Sequence, residues 1–157
     1  MRIAIGCDNA AFELKQVLVK YLHEQGHECL DVGIISTEEE TYYPIIAERV
    51  ATQVASQQAE RGVLLCGTGI GMCIAANKVP GVYAALCHDV YSAERARKSN
   101  HAQIITMGAR VIGPELAKVI LRAWLESEFT PGSSSPKVDL VTEMDSKYRV
   151  NNSQGSR

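Results

Sequence analysis

Segments that read as buried strands alternate along the chain with longer segments whose apolar residues recur every three or four positions. Residues 3–5, 28–32, 63–65, 82–86 and 102–107 are the strand candidates; residues 14–22, 45–54, a stretch from about Tyr91, and one from Pro114 to about Glu126 carry the helical period. Most of the strand runs are continuously apolar, the pattern of strands covered on both faces. The alternation therefore predicts an α/β fold, a parallel sheet with helices on both faces. Leu14, Val17, Leu18, Tyr21 and Leu22 form the inner face of the first helix, and Gly26 stands where its C-terminal cap belongs. In the last long helix Pro114 suits the first turn, and Leu116, Val119, Ile120, Ala123 and Trp124 are expected to make one core-facing stripe.

After Phe129 the run Thr-Pro-Gly-Ser-Ser-Ser-Pro reads as a loop, followed by a short helical stretch over about 138–148. One domain over residues 1–148 is expected, with 149–157 as a disordered tail. A chain of 157 residues can bury a core without metals or disulfides. With 46% hydrophobic and 22% charged residues and a formal net charge of -2, nothing points to a nucleic-acid surface, so any anion must be bound locally. Cys7, Cys29, Cys66, Cys73 and Cys87 form neither an even disulfide set nor a metal-binding C-x-x-C pair, which fits a reducing compartment and predicts a cytoplasmic protein. No apolar run reaches membrane-spanning length.

In an open parallel sheet ligands bind beyond the carboxyl ends of the strands. The residues at those positions are Cys7, Asp8 and Asn9 after the first strand, Cys66-Gly67-Thr68-Gly69-Ile70-Gly71 after the third, and His88 and Asp89 after the fourth. Ser99, Asn100 and His101 precede the fifth strand, so they belong at the opposite end unless a second subunit brings them to a neighbour's site.

The 66–71 segment carries the strongest chemistry. Its three alternating glycines allow a sharp turn into a helix, where free N–H groups favour an anionic atom. A P-loop would need four residues between its glycines and then Lys-Ser or Lys-Thr, which are missing; a dinucleotide fingerprint would need Gly or Ala where Met72 stands, although Asp89 is placed for a ribose hydroxyl. The third reading is an oxyanion cradle beside a base, with Cys66 at its lip. A small buried hydrophobe at a strand end competes for Cys66, and the adjacent glycines favour the base. The other four cysteines read as structural, and His23 and His27 have no assigned role.

The motifs Ile3-Ala4-Ile5-Gly6-Cys7-Asp8, Tyr43-Pro44, the 66–71 loop, Ala75-Ala76-Asn77-Lys78-Val79-Pro80-Gly81 and Met107-Gly108-Ala109-Arg110-Val111-Ile112-Gly113 resemble, in order and over roughly residues 1–148, the ribose-5-phosphate isomerase B and galactose-6-phosphate isomerase family. The resemblance implies a five-stranded Rossmann-like sheet and an aldose-ketose isomerase of a sugar phosphate. It also implies a homodimer or dimer of dimers whose sites span two subunits, with no metal and no organic cofactor. By position, Cys66 is the base that moves a proton between C1 and C2, and Thr68 is its hydroxyl partner. Gly67, Gly69 and Gly71 form the cradle, while Asp8, Tyr43 and Asn100 hold sugar hydroxyls.

Several positions depart from the family's ribose enzymes. Asn9 and Ser99 stand where histidines are usual, the second of them the ring opener, and Ser133 and Lys137 match two phosphate-binding arginines. Arg110 and Lys137 are then the cations expected at the phosphate, and Asn9 and Ser99 are expected to line the substrate. Residues 92–100 and 102–108 resemble the branch acting on four-carbon sugar phosphates, D-erythrulose 4-phosphate and D-erythrose 4-phosphate. A ribose-5-phosphate isomerase, a non-catalytic sugar-phosphate or nucleotide sensor and a nicotinamide-dependent dehydrogenase are the competing readings. His88 or His101 could assist.

Overall fold

The computed structural model describes residues 1–152, with side chains through Arg149. Its strands are β1 (Arg2–Cys7), β2 (Glu28–Asp31), β3 (Arg61–Cys66), β4 (Ala84–Leu86) and β5 (Ile104–Gly108), and its helices α1 (Phe12–Glu24), α2 (Tyr43–Ala55), α3 (Ile70–Ala76), α4 (Val90–Lys98), α5 (Pro114–Leu125) and α6 (Ser135–Asn152). The strands form one sheet in the order β2-β1-β3-β5-β4, parallel throughout. Helices α2 and α3 pack together on one face, and α5 packs with α1 and α4 on the other. The central strands β3 and β5 are buried along their whole length, as their unbroken apolar runs require.

The chain leaves β1 toward β2 and then returns past β1 to β3, so the direction of winding reverses between β1 and β3. A crevice opens at such a switch point. The register pairs Cys7 with Leu65 and Cys66 with Gly108, which sets the carboxyl ends of β1, β3 and β5 level. Asp8, the 66–71 loop and Arg110 therefore emerge side by side.

Three expectations need correction. In α5 the buried residues are Ala117, Ile120, Leu121, Trp124 and Leu125, while Leu116 and Val119 are about two-fifths exposed. The core-facing stripe is rotated because α5 wedges between α1 and α4, and Trp124 is fully buried as expected. Strands β4 and β5 each start two residues later than the apolar pattern suggests, and left-handed turns at Gly81 (φ 76°) and His101 (φ 54°) precede them, three residues before each first strand residue. The terminal helix runs from Ser135 to Asn152, longer at both ends than expected, and residues 153–157 lie outside the described residues. Arg149, assigned to the tail, donates to the carbonyls of Lys78 (2.6 Å) and Asn77 (3.2 Å) and pairs with Asp145.

At the amino end of the sheet, Arg61 is 3% exposed and donates to the carbonyls of Trp124, Leu125 and Ser127. Its other partner is the Glu128 carboxylate, which also accepts from buried Arg97 at 3.2 Å. Removing Glu128 would leave two buried guanidinium groups short of a counter-charge, a loss moderated by the exposure of the Glu128 side chain to solvent. This clamp sets where the chain leaves α5 and starts toward α6.

Candidate active site

Cys66 ends β3, and the glycines after it turn the chain back over its own sulfur. Gly69 has φ 77°, and a Cβ there would lie 2.7 Å from the Leu86 side chain and 2.8 Å from the Met107 carbonyl carbon. Only glycine fits that backbone and that space. The turn aims the Gly69 N–H at Cys66 Sγ, 3.0 Å away, while the Gly69 carbonyl accepts from the buried Thr106 hydroxyl at 2.9 Å. Ala109 N–H and Arg110 N–H donate to the carbonyls of Cys66 (2.8 Å) and Gly67 (3.0 Å). The loop is thus tied to β5 and the turn after it rather than free in solvent.

Side chains close around this frame. Thr68 is exposed beside Cys66, and its Oγ1 accepts from Ile70 N–H at 3.3 Å. Tyr43, the first residue of α2, lies over Gly71, where an added Cβ would come within 2.6 Å of its ring. Arg110 lies over Gly67, its Nη1 3.3 Å from the position a Cβ would take, and forms no salt bridge among the described residues. Asp8 caps the turn before α1 by accepting from Ala10 N–H at 3.1 Å. Burial pushes its carboxyl pKa up, against the opposing pull of the Ala10 N–H and of Arg110. Asn9 opens onto an adjoining groove of about 470 Å³ with Phe12, Thr37 and Ile112.

Ser99, Asn100 and Lys137 lie elsewhere. They share a groove of about 390 Å³ with Tyr83 and Ser134 at the amino end of the sheet. Asn100 donates to the Arg95 carbonyl at 3.1 Å, and Arg95 donates to Ser99 Oγ at 3.4 Å. Within one chain the predicted residues therefore form two groups, one at each end of the strands.

Both histidines are engaged in the fold. His88 Nε2 accepts from Gly108 N–H at 2.9 Å, bracing the strand behind the loop. His101 packs on Phe129 with ring centroids 4.9 Å apart, and burial, assisted by Arg97, lowers its pKa. The four cysteines read as structural are thiols whose pKa burial raises: Cys7 and Cys87 to about 12, Cys29 to about 11, and Cys73 upward. Thr106, which fastens Gly69, was invisible in the sequence except as one hydroxyl in an otherwise apolar strand.

Residues 3–141 match the ribose/galactose isomerase family. The chain belongs to that family. It is a sugar-phosphate aldose-ketose isomerase in that coarse sense. Among its relatives, a ribose-5-phosphate isomerase B of Listeria innocua is 55% identical over 95% of this chain and 100% of its own length. A D-erythrulose-4-phosphate isomerase of Pectobacterium atrosepticum is 54% identical over 90% of this chain and 93% of its own. The solved ribose-5-phosphate isomerase B of Clostridium thermocellum superposes with a TM-score of 0.91 at 40% identity, covering 94% of this chain and 99% of that one.

Proposed function

We propose that the enzyme interconverts D-erythrulose 4-phosphate and D-erythrose 4-phosphate in the cytoplasm. Cys66 takes the proton from C2 of the aldose, the electron pair forms an enediolate, a proton passes from O2 to O1, and return of the first proton to C1 gives the ketose. Sγ is the acceptor of the Gly69 N–H, the role a base needs, and backbone N–H groups of the 67–71 loop together with Thr68 serve the oxygens where charge develops. Asp8 and Tyr43 hold hydroxyls from the same subunit. Ser99, Asn100 and Lys137 reach the substrate from a second copy, in a homodimer or dimer of dimers, and Arg110 and Lys137 together bind the phosphate. The exposed Ile70 and Ile74 on α3 and Leu140, Val141, Met144 and Tyr148 on α6 supply apolar surface for that copy.

The observation that carries the substrate is Ser99. Ribose 5-phosphate is largely a furanose, and opening it needs an acid or base that works near neutral pH. Serine is neither, and the neighbouring His101 is turned against Phe129. Erythrose 4-phosphate has its O4 esterified and cannot close a five-membered ring, so it needs no ring opener. The relative from Listeria favours ribose 5-phosphate as the second reading. Turnover of both substrate pairs by the purified enzyme decides between them: kcat/KM for the tetrose phosphate should exceed that for the pentose phosphate, and Ser99→His should leave the tetrose reaction no faster. A tenfold preference for ribose 5-phosphate, about 1.4 kcal/mol in transition-state stabilisation, would reverse the assignment.

A further inference from the structure

Lys15 is fully buried on α1, yet no step of the proton transfer uses it. A buried ammonium is costly unless its charge and donors are answered. Here Nζ lies 2.8 Å from the Asp31 carboxylate, donates to the Ile34 carbonyl at 2.5 Å and sits 5.2 Å from the centre of the Phe12 ring. Its polar partners both belong to the segment that runs from the end of β2 across the end of β1.

That segment is braced along its length. Asp31 accepts from Gly33 N–H at 3.0 Å with its other oxygen. Gly33 passes so close to β1 that a Cβ would come within 2.9 Å of the Gly6 Cα and 2.7 Å of the nitrogen of Cys7, the residue before Asp8. Farther on, Glu39 accepts from Ile35 N–H (3.1 Å) and from the Thr41 hydroxyl (2.7 Å), two residues before Tyr43. Tyr43 then lies on Gly71 of the cradle. These contacts, linked by short stretches of chain, therefore lead from Lys15 to both same-subunit groups assigned to the sugar hydroxyls.

We infer that Lys15 is a positioning residue: its ammonium pins the 31–42 segment across the end of β1 and so sets Asp8 and Tyr43 for the substrate. The inference rests on the isomerase reading above. It predicts an effect on substrate binding more than on proton transfer, because the Cys66 loop is fastened separately, through Thr106, Ala109 and Arg110.

The test is kinetics and hydrogen exchange on Lys15→Met and on the double variant Lys15→Met/Asp31→Asn. The second removes both charges while keeping an acceptor for Gly33 N–H, so it relieves the unpaired carboxylate and recovers urea stability. Lys15→Met should raise KM for the sugar phosphate about fivefold or more with kcat within about twofold, and should speed amide exchange across residues 33–42. The double variant should regain stability and keep the raised KM. A normal KM in Lys15→Met, unchanged exchange in 33–42, or a KM that recovers with stability would overturn the inference and leave Lys15 a purely structural ion. Should the wild-type enzyme turn over no sugar phosphate, the isomerase reading fails instead, and exchange across 33–42 alone reports whether Lys15 holds the segment.

Discussion

The two ends of the sheet are built differently. At the carboxyl end, Cys66, Thr68, Asp8, Tyr43 and Arg110 surround a turn fastened by backbone hydrogen bonds and by close packing against Gly67, Gly69 and Gly71. At the amino end, Ser99, Asn100 and Lys137 line an open groove, and the exposed Glu128 carboxylate bridges the buried Arg61 and Arg97. On the proposed mechanism, the carboxyl end supplies the proton transfer but few groups to grip a phosphate. The amino end offers hydroxyl, amide and ammonium donors. The proposed shared site would join these two complementary ends from different copies.

The sharpest way to break the comparison is at Cys66. Cys66→Ala should reduce turnover by about 10²–10⁴-fold or more while far-UV circular dichroism and the urea midpoint stay near wild type, since it removes a base and little volume. Cys73→Ala, one turn into α3, should retain activity. Near-normal turnover by Cys66→Ala would move the base elsewhere.

A smaller effect separates the two ends as phosphate ligands. Arg110→Ala and Lys137→Ala should each raise KM for the phosphorylated substrate with kcat reduced less, by roughly tenfold for a lost charge-assisted hydrogen bond. An unchanged KM in Lys137→Ala would remove the amino end from the phosphate.

Much of this division was legible in the chain. The alternation of strand and helix, the glycine turn after Val63-Leu64-Leu65, and the placing of Asn100 ahead of the fifth strand are local patterns, and local patterns survive folding. What could not be read depended on partners distant in sequence. Leu116 and Val119 have the apolar character of core residues, but α1 and α4 select the adjacent face of α5. Lys15 follows Leu14 on a helix, and no local pattern marks it as buried; its polar partners, Asp31 and Ile34, lie far along the chain. The terminal helix has no clear apolar stripe to mark its ends, and the tie of Arg149 to the turn after α3 is set by tertiary contact alone.

The smallest expected effect probes the amino end without chemistry. The His101 pKa is lowered from its ordinary 6.5, by burial first and then by Arg97 and Arg61, against the opposing pull of Glu128. The unfolded chain therefore binds the proton more tightly. The stability His101 contributes as a neutral ring is complete above pH 6.5 and is lost as the pH falls through the lower folded value. His27 shifts the same way, so the comparison must be between proteins. The urea midpoint should fall less between pH 7 and pH 5 in His101→Asn, a residue that tolerates the left-handed backbone, than in wild type. Parallel losses would mean that His101 is already solvated.

The most direct test of a site shared between opposite ends is to mix two inactive proteins. Cys66→Ala lacks the carboxyl-end base, and Asn100→Ala lacks the amino-end amide. After unfolding and refolding together, half of the dimers should pair one of each, and each such dimer has one intact site and one doubly defective site. Activity should return to about one quarter of the wild-type level, while either variant refolded alone stays inactive. A mixture that demonstrably exchanges subunits and remains inactive would contradict the account, because Cys66 and Asn100 would then belong to no common site.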